Sequence, residues 1–198
     1  MTPPDACDLL TIGHSNLPAD RFVTLLRNAG VTTVADVRSV PFSRRFPWFS
    51  GKALAERLMR EGIAYMPLGE GLGGRPRDPK LYCDGVADYD AMAKTPEFRA
   101  DLDRVIDDMR YTRLCLMCAE REPLDCHRCL LVSRALAARG VKPCHILGDG
   151  TIEPHAATEA RLLKLAGGGD ADLFGDPAGR LAEAYHRRAG KMAARAKP

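Results

Sequence analysis

"TRLCLMCAEREPLDCHRCLLVSRALAARGVKPCHILG" (Thr112–Gly148) decides how the chain is read. Its opening, "LCLMC", is apolar without a break, as expected of a strand buried on both faces. Residues 126–140 then carry apolar side chains at helical spacing and stop on Gly140. Residues 141–148 return to an apolar run. Strand, helix and strand in that order predict a parallel pair joined by a crossover helix.

Upstream, the same alternation repeats. Strands are predicted at 9–13, 32–38 and 63–69, with helices at 18–30 and 52–62. The first helix has Pro18 in its opening turn and Gly30 as its stop. A long glycine- and proline-rich loop reaches Asp88, and a helix over 90–110 is interrupted near Thr95–Pro96. Two further helices, 153–167 and 177–192, lie outside the alternating unit. The expected fold is α/β: an open, mostly parallel sheet of about five strands with helices on both faces, plus extra C-terminal helices. Five strands are too few for an eightfold barrel. Residues 1–155 are expected to form the α/β domain. Residues 156–198 would be a helical extension with a basic tail, packed on that domain or trailing from it.

The 198 residues suffice for a single core. No apolar run reaches the length of a membrane span, so no membrane partner is expected. The N-terminus has no basic segment leading into an apolar one, which argues for a cytoplasmic protein. Seven cysteines, an odd number, are then expected to be reduced thiols. The net charge of +3 conceals a basic tail in which Arg187, Arg188, Lys191, Arg195 and Lys197 follow Ala184 without an acid. Such a tail either contacts nucleic acid or is a solvated terminus.

In open parallel sheets, ligands sit beyond the carboxyl ends of the strands. Reactive side chains cluster there: "HSN" (14–16), "DVRSVPFSRR" (36–45), "GEGLGGRPR" (69–77), "CAEREPLDCHR" (118–128) and His145 with "GDGTIEPH" (148–155). Cys115 and Cys118 are three apart on a strand and so point to opposite faces. Cys115 and Cys129 are therefore read as core, and no metal ligand set is assigned. A partial site from Cys118, Cys126 and His127 is the alternative. Pro123 and Asp125 mark a helix start, which would place Cys126, His127 and Arg128 in a first turn able to take an anion. Gly69, Gly71 and Gly74 match a dinucleotide fingerprint, but Pro76 and Pro79 forbid the helix it must open, and no cofactor is expected. That loop instead brings Arg75 and Arg77 over the site.

"TIGHSN", "DVRSVPFSRR", "AYMPLGEGLGG", "LMCAEREPLDCHR" and "CHIL" occur in the order and spacing of the motifs of the DUF488 family. The resemblance spans roughly residues 9 to 155. It implies a cytosolic α/β protein and no particular reaction. Its motif positions fall on His14, Ser15, Asp36, Arg38, Pro41, Ser43, Arg44, Gly73, Gly74, Cys118, Glu120, Cys126, His127 and Arg128.

The expected function is an enzyme binding an anionic, phosphate-bearing ligand, such as a nucleotide or nucleic-acid component. It would be a hydrolase or transferase acting on a glycosidic or phosphoryl bond. Glu120, Asp36, His14 and Cys118 are the catalytic candidates: the carboxylates as nucleophile or base, His14 as proton carrier. Arg38, Ser15, Ser43, Arg44, Gly73, Gly74, Cys126, His127 and Arg128 are the candidate ligand-binding residues. The alternatives are a thiol or metal site at Cys118, Cys126 and His127, and a non-catalytic nucleic-acid-binding module.

Overall fold

A computed structural model describes residues 7–167 and 176–196. The chain begins with β1 (Leu9–Gly13), α1 (Ala19–Asn28), β2 (Thr33–Asp36), α2 (Gly51–Arg60) and β3 (Ala64–Pro67). A two-residue hairpin follows, β4 (Tyr82–Cys83) and β5 (Val86–Ala87), then α3 (Tyr89–Met92) and α4 (Pro96–Asp108). Next come β6 (Leu114–Cys118), α5 (Arg134–Ala137), β7 (Pro143–Ile146) and β8 (Ile152–Pro154). Helices α6 (His155–Leu165) and α7 (Pro177–Met192) close the described chain.

The strands form one open sheet in the order β3-β2-β6-β1-β7-β8, parallel except for β8, which pairs antiparallel with β7. The sheet thus has six strands rather than about five. The extra one is three residues long and half-buried, too short to show alternation. Periodicity across the pleat explains the two-sided core. Leu114, Leu116 and Cys118 of β6 pack with α4, α6 and α7, whereas Cys115 and Met117 pack with α1 and α2. The interruption at Thr95–Pro96 has a physical cause. Thr95 Oγ1 accepts from the Phe98 backbone N–H and caps α4, with Pro96 in its first turn.

Two expectations need correction. The segment after Asp125 is not a regular helix from Cys126 onward. Pro123–Asp125 make a 3-10 turn, and Cys126 is extended at φ −135° and ψ 138°. Residues Arg128–Ser133 then form a π-helical turn, with Ser133 Oγ donating to Arg128 O at 2.7 Å. π-Helical turns are frequent at functional sites. The cysteines are not all free: Cys7 and Cys144 form a disulfide, because β1 and β7 are adjacent and bring their Cα atoms to 5.7 Å.

The described part of the basic tail lies against the body. Ala194 O accepts from Ala87 N and Ala196 N donates to Gly85 O, so the tail runs along the β4–β5 hairpin. Lys197 lies outside the described residues. Leu162 of α6 and Tyr185 of α7 belong to the same buried cluster as β6. Among the described residues, no helix is long and apolar enough to cross a membrane.

Candidate metal-thiolate site

Strand order places the carboxyl ends of β1, β6 and β2 side by side, with Gly13 level with Cys118 and Asp36 level with Met117. The chain that leaves these ends walls a cavity of about 470 Å³, within the range of small-ligand pockets. His14, Arg38, Ser43, Gly74, Cys118, Glu120 and His127 line it, together with Arg75, Tyr89, Phe42, Met192 and Ala194.

At its floor, four electron-pair donors converge. One ligand atom from each of Cys118, Glu120, Cys126 and His127 lies within 4.8 Å of all the others. Cys118 Sγ stands 3.0 Å and Cys126 Sγ 3.1 Å from Glu120 Oε2. His127 Nδ1 is 3.6 Å from the first sulfur and 4.0 Å from the second. The Nε2 of His127 lies 2.8 Å from Val37 O, which only accepts, so Nε2 carries a proton and Nδ1 faces the sulfurs. Burial works against charging the ring, but the Cys126 sulfur outweighs it and raises the His127 pKa, so a metal bound at Nδ1 would take the place of a proton. A carbonyl behind the ring is the usual support of a metal-binding histidine.

Neighbouring charges bias the thiols in opposite directions. Burial works against ionising Cys126, but the Cys118 thiol, Arg128 and His127 outweigh it and hold its pKa well below the ordinary value. Burial, and then Cys126 itself, push Cys118 well above. Desolvation against the sulfurs, and then the charge of Cys126, raise the Glu120 pKa above the ordinary carboxylate range.

Arg128 is fully buried. Its Nη1 donates to Glu120 O at 2.6 Å and its Nη2 to Arg121 O at 2.9 Å. The fork expected to hold an anion is therefore spent on the loop that carries Glu120, and Arg128 does not line the cavity. Asp125, read as marking a helix start, pairs with Arg188.

Asp36 was expected to act as base or nucleophile, but its acceptor positions are filled. Arg38 donates Nε–H at 2.8 Å, Nη2–H at 2.6 Å and its backbone N–H at 3.1 Å; Tyr65 OH donates at 2.7 Å. Asp36 instead orients Arg38, whose remaining guanidinium protons face the cavity.

His14 is likewise no free proton carrier. Its Nδ1–H donates to Ser15 O at 2.9 Å, and its Nε2 accepts from Arg38 Nη1 at 3.1 Å. Burial and then Arg38 lower its pKa to about 4, so it stays neutral, stacked on Phe49 at 4.2 Å.

Ser43 lines the cavity, though its hydroxyl is taken by the backbone N–H of Phe46. Ser15, Arg44, Gly73 and Cys126 do not line it. Ser15 serves through its backbone, at φ 45°. Of the two arginines expected over the site, Arg75 reaches the cavity, whereas Arg77 pairs with Glu70. Gly74 is required by close approach, since a Cβ there would stand 2.6 Å from the His127 ring.

Two contributors had no sequence signal. Val37 acts through its carbonyl, and Tyr65 reaches Asp36 only because β3 pairs with β2. The cluster itself was half legible. Spacing drew attention to Cys115 with Cys118, but the pair that meets is Cys118 with Cys126, joined by a turn after the strand rather than within it.

A second polar cluster, Cys129, His145 and His155, is a closed relay. Thr11 Oγ1 meets His145 Nδ1 at 2.8 Å, His145 Nε2 meets His155 Nδ1 at 3.0 Å, and His155 Nε2 meets Tyr185 OH at 3.0 Å. Its imidazole nitrogens are already engaged.

Comparison with curated proteins and with solved structures found no match. Residues 18–135 match the family model described as domain of unknown function DUF488. That match covers more than half of the chain, including the loops that follow β2, β3 and β6 and all four residues of the donor cluster, and the chain belongs to the DUF488 family.

Proposed function

We propose that this DUF488 chain is a metal-thiolate enzyme, in which Cys118, Cys126, His127 and Glu120 hold a zinc-class divalent ion at the floor of an anion-binding cavity. The observation that carries the reading is the convergence of two sulfurs, one imidazole nitrogen and one carboxylate oxygen within 4.8 Å. Soft thiolate and imidazole donors select zinc over magnesium or calcium. Cys126 is only 2% exposed and does not line the cavity, so its thiolate serves as a ligand rather than as a nucleophile.

Three of the donors form a rigid frame. Cys118 ends a buried strand, Cys126 is packed in the core, and His127 is fixed between Val37 O and Gly74. Glu120 is the exposed member, on the side from which a water or a substrate oxygen would reach an ion held there. A zinc-class ion supplies Lewis-acid polarisation and an acidified water. Glu120, the exposed member of the cluster, would be the carboxylate able to move a proton at the cavity. Arg38, held by Asp36 and His14, and Arg75 across the mouth supply positive charge for an anionic substrate. The reaction class that suits these parts is hydrolysis or transfer at a phosphate-bearing substrate.

Metal content and anion binding test the two halves separately. Purified protein is expected to carry one equivalent of zinc per chain, and phosphate is expected to protect it thermally in wild type but not in Arg38→Ala. Metal-free protein that takes up no added zinc would refute the centre. Equal protection of both proteins would refute the anion pocket.

A further inference from the structure

The loop between β2 and α2 carries exposed aromatic rings and exposed arginines, and part of it lines the cavity. Val40, Phe42 and Trp48 are 60%, 66% and 41% exposed, three of the seven large hydrophobic side chains that stand exposed among the described residues. Val40 and Phe42 line the cavity. Between them and Trp48 lie Arg44 and Arg45, both exposed, with no carboxylate partner among the described residues. Arg45 instead leans on the Phe46 ring, at 5.4 Å.

The presentation is built in. Gly51 N donates to Pro41 O, Ser43 N donates to Ser50 Oγ, and Phe49 is buried against Phe22 and His14. Trp48 Nε1–H donates to Leu17 O at 3.3 Å, fixing one edge of the indole while the ring remains exposed. Two further cationic side chains, Arg75 and Arg121, are exposed on the loops that follow β3 and β6. Arg195 lies where the tail pairs with β5, beside the cavity-lining Ala194.

We infer that this rim binds a single-stranded nucleic acid, with bases stacked on Phe42 and Trp48 and phosphates on Arg44, Arg45 and Arg75, so that one nucleotide enters the cavity. The inference deepens the proposed function by naming its substrate class, and it rests on the cavity being the ligand site, not on the identity of the metal. Exposed rings alone would suit a protein partner, and arginines alone any polyanion. Alternating the two is the chemistry of single-strand binding, since only unpaired bases offer free faces for stacking. A duplex offers phosphates without faces, and an acidic peptide offers carboxylates without a stack.

Trp48 is the only tryptophan in the chain, so its fluorescence reports on this surface. Full-length metal-loaded protein is titrated with dodecamers of deoxythymidine and of uridine, with a duplex of the same length, and with polyglutamate. Saturable quenching by at least one single strand is expected, weakening as salt rises. Phe42→Ala should weaken it by about tenfold. The double variant R44A/R45A should lower the salt dependence by about two counterions. Deoxythymidine against uridine tells DNA from RNA.

Three outcomes would overturn the inference: no quenching by either strand, equal binding of duplex or polyglutamate, or an unchanged affinity in Phe42→Ala. Zinc content is measured on every variant and is expected to stay at the wild-type value. Strand binding by protein that takes up no added zinc would sink the metal centre and leave this inference standing, and zinc uptake without strand binding would do the reverse.

Discussion

Arg128 donates to the carbonyl of Glu120 at 2.6 Å, and this bond, rather than any contact with a ligand, is what the arginine is for. A charge buried completely holds the two peptide groups that aim Glu120 at the thiols. Gly13 admits the arrangement, because any Cβ there would run into the Glu120 carbonyl and the Arg128 guanidinium. Substitution of Arg128 should therefore disturb stability and site together.

Arg128→Lys retains the charge and loses the fork that spans two carbonyls. It should cost on the order of 3 kcal/mol, since a charged hydrogen bond is removed and a buried acceptor is left unpaired. Chemical denaturation measures the cost, and zinc content should fall with it. A variant as stable as wild type, but deficient in anion binding, would restore the anion-holding role that its burial argues against.

Gly74→Ala tests the packing behind His127. The added methyl meets the imidazole at 2.6 Å, so either the ring or the loop must move. A destabilisation of about 1–3 kcal/mol is expected, with weaker zinc retention against a chelator. Unchanged retention would show that Gly74 does not set the ring position.

Acid should weaken the fold through its buried neutral histidines. His14 has an ordinary pKa of 6.5 and titrates at about 4 in the folded chain, so the unfolded chain takes the proton first. Stability is then lost as pH falls from 6.5 towards about 4 and levels off below, a loss of about 3 kcal/mol from this residue. Burial lowers His145 and His155 as well, which adds in the same direction. Urea midpoints for wild type and His14→Gln across this window check the sign. The variant should show the shallower dependence, and parallel curves would contradict it.

Much of this architecture is legible in the sequence because it rests on short-range patterns. The apolar run at 114–118 reads as a two-sided strand, and offset three separates Cys115 from Cys118 onto opposite faces, as the two halves of the core show. What could not be read depends on how loops fold back. Nothing in "EREPLD" announces that Cys126 returns to Cys118. No composition signal tells a buried Arg128 from an exposed one, and Asp36 looks catalytic until Arg38 and Tyr65 are seen to occupy it. The tail reads as solvated by its charge, yet its backbone pairs with a hairpin too short to be recognised.

The central claim concerns which two sulfurs share an ion. Cobalt exchanged into the purified protein reports this directly, because thiolate ligands give an intense near-ultraviolet charge-transfer band and a tetrahedral site gives strong visible bands. The account predicts both in wild type, retained in Cys115→Ala and lost or markedly reduced in Cys118→Ser and in Cys126→Ser. A cobalt spectrum without the charge-transfer band, or one unchanged in Cys118→Ser and Cys126→Ser, would contradict the metal-thiolate centre.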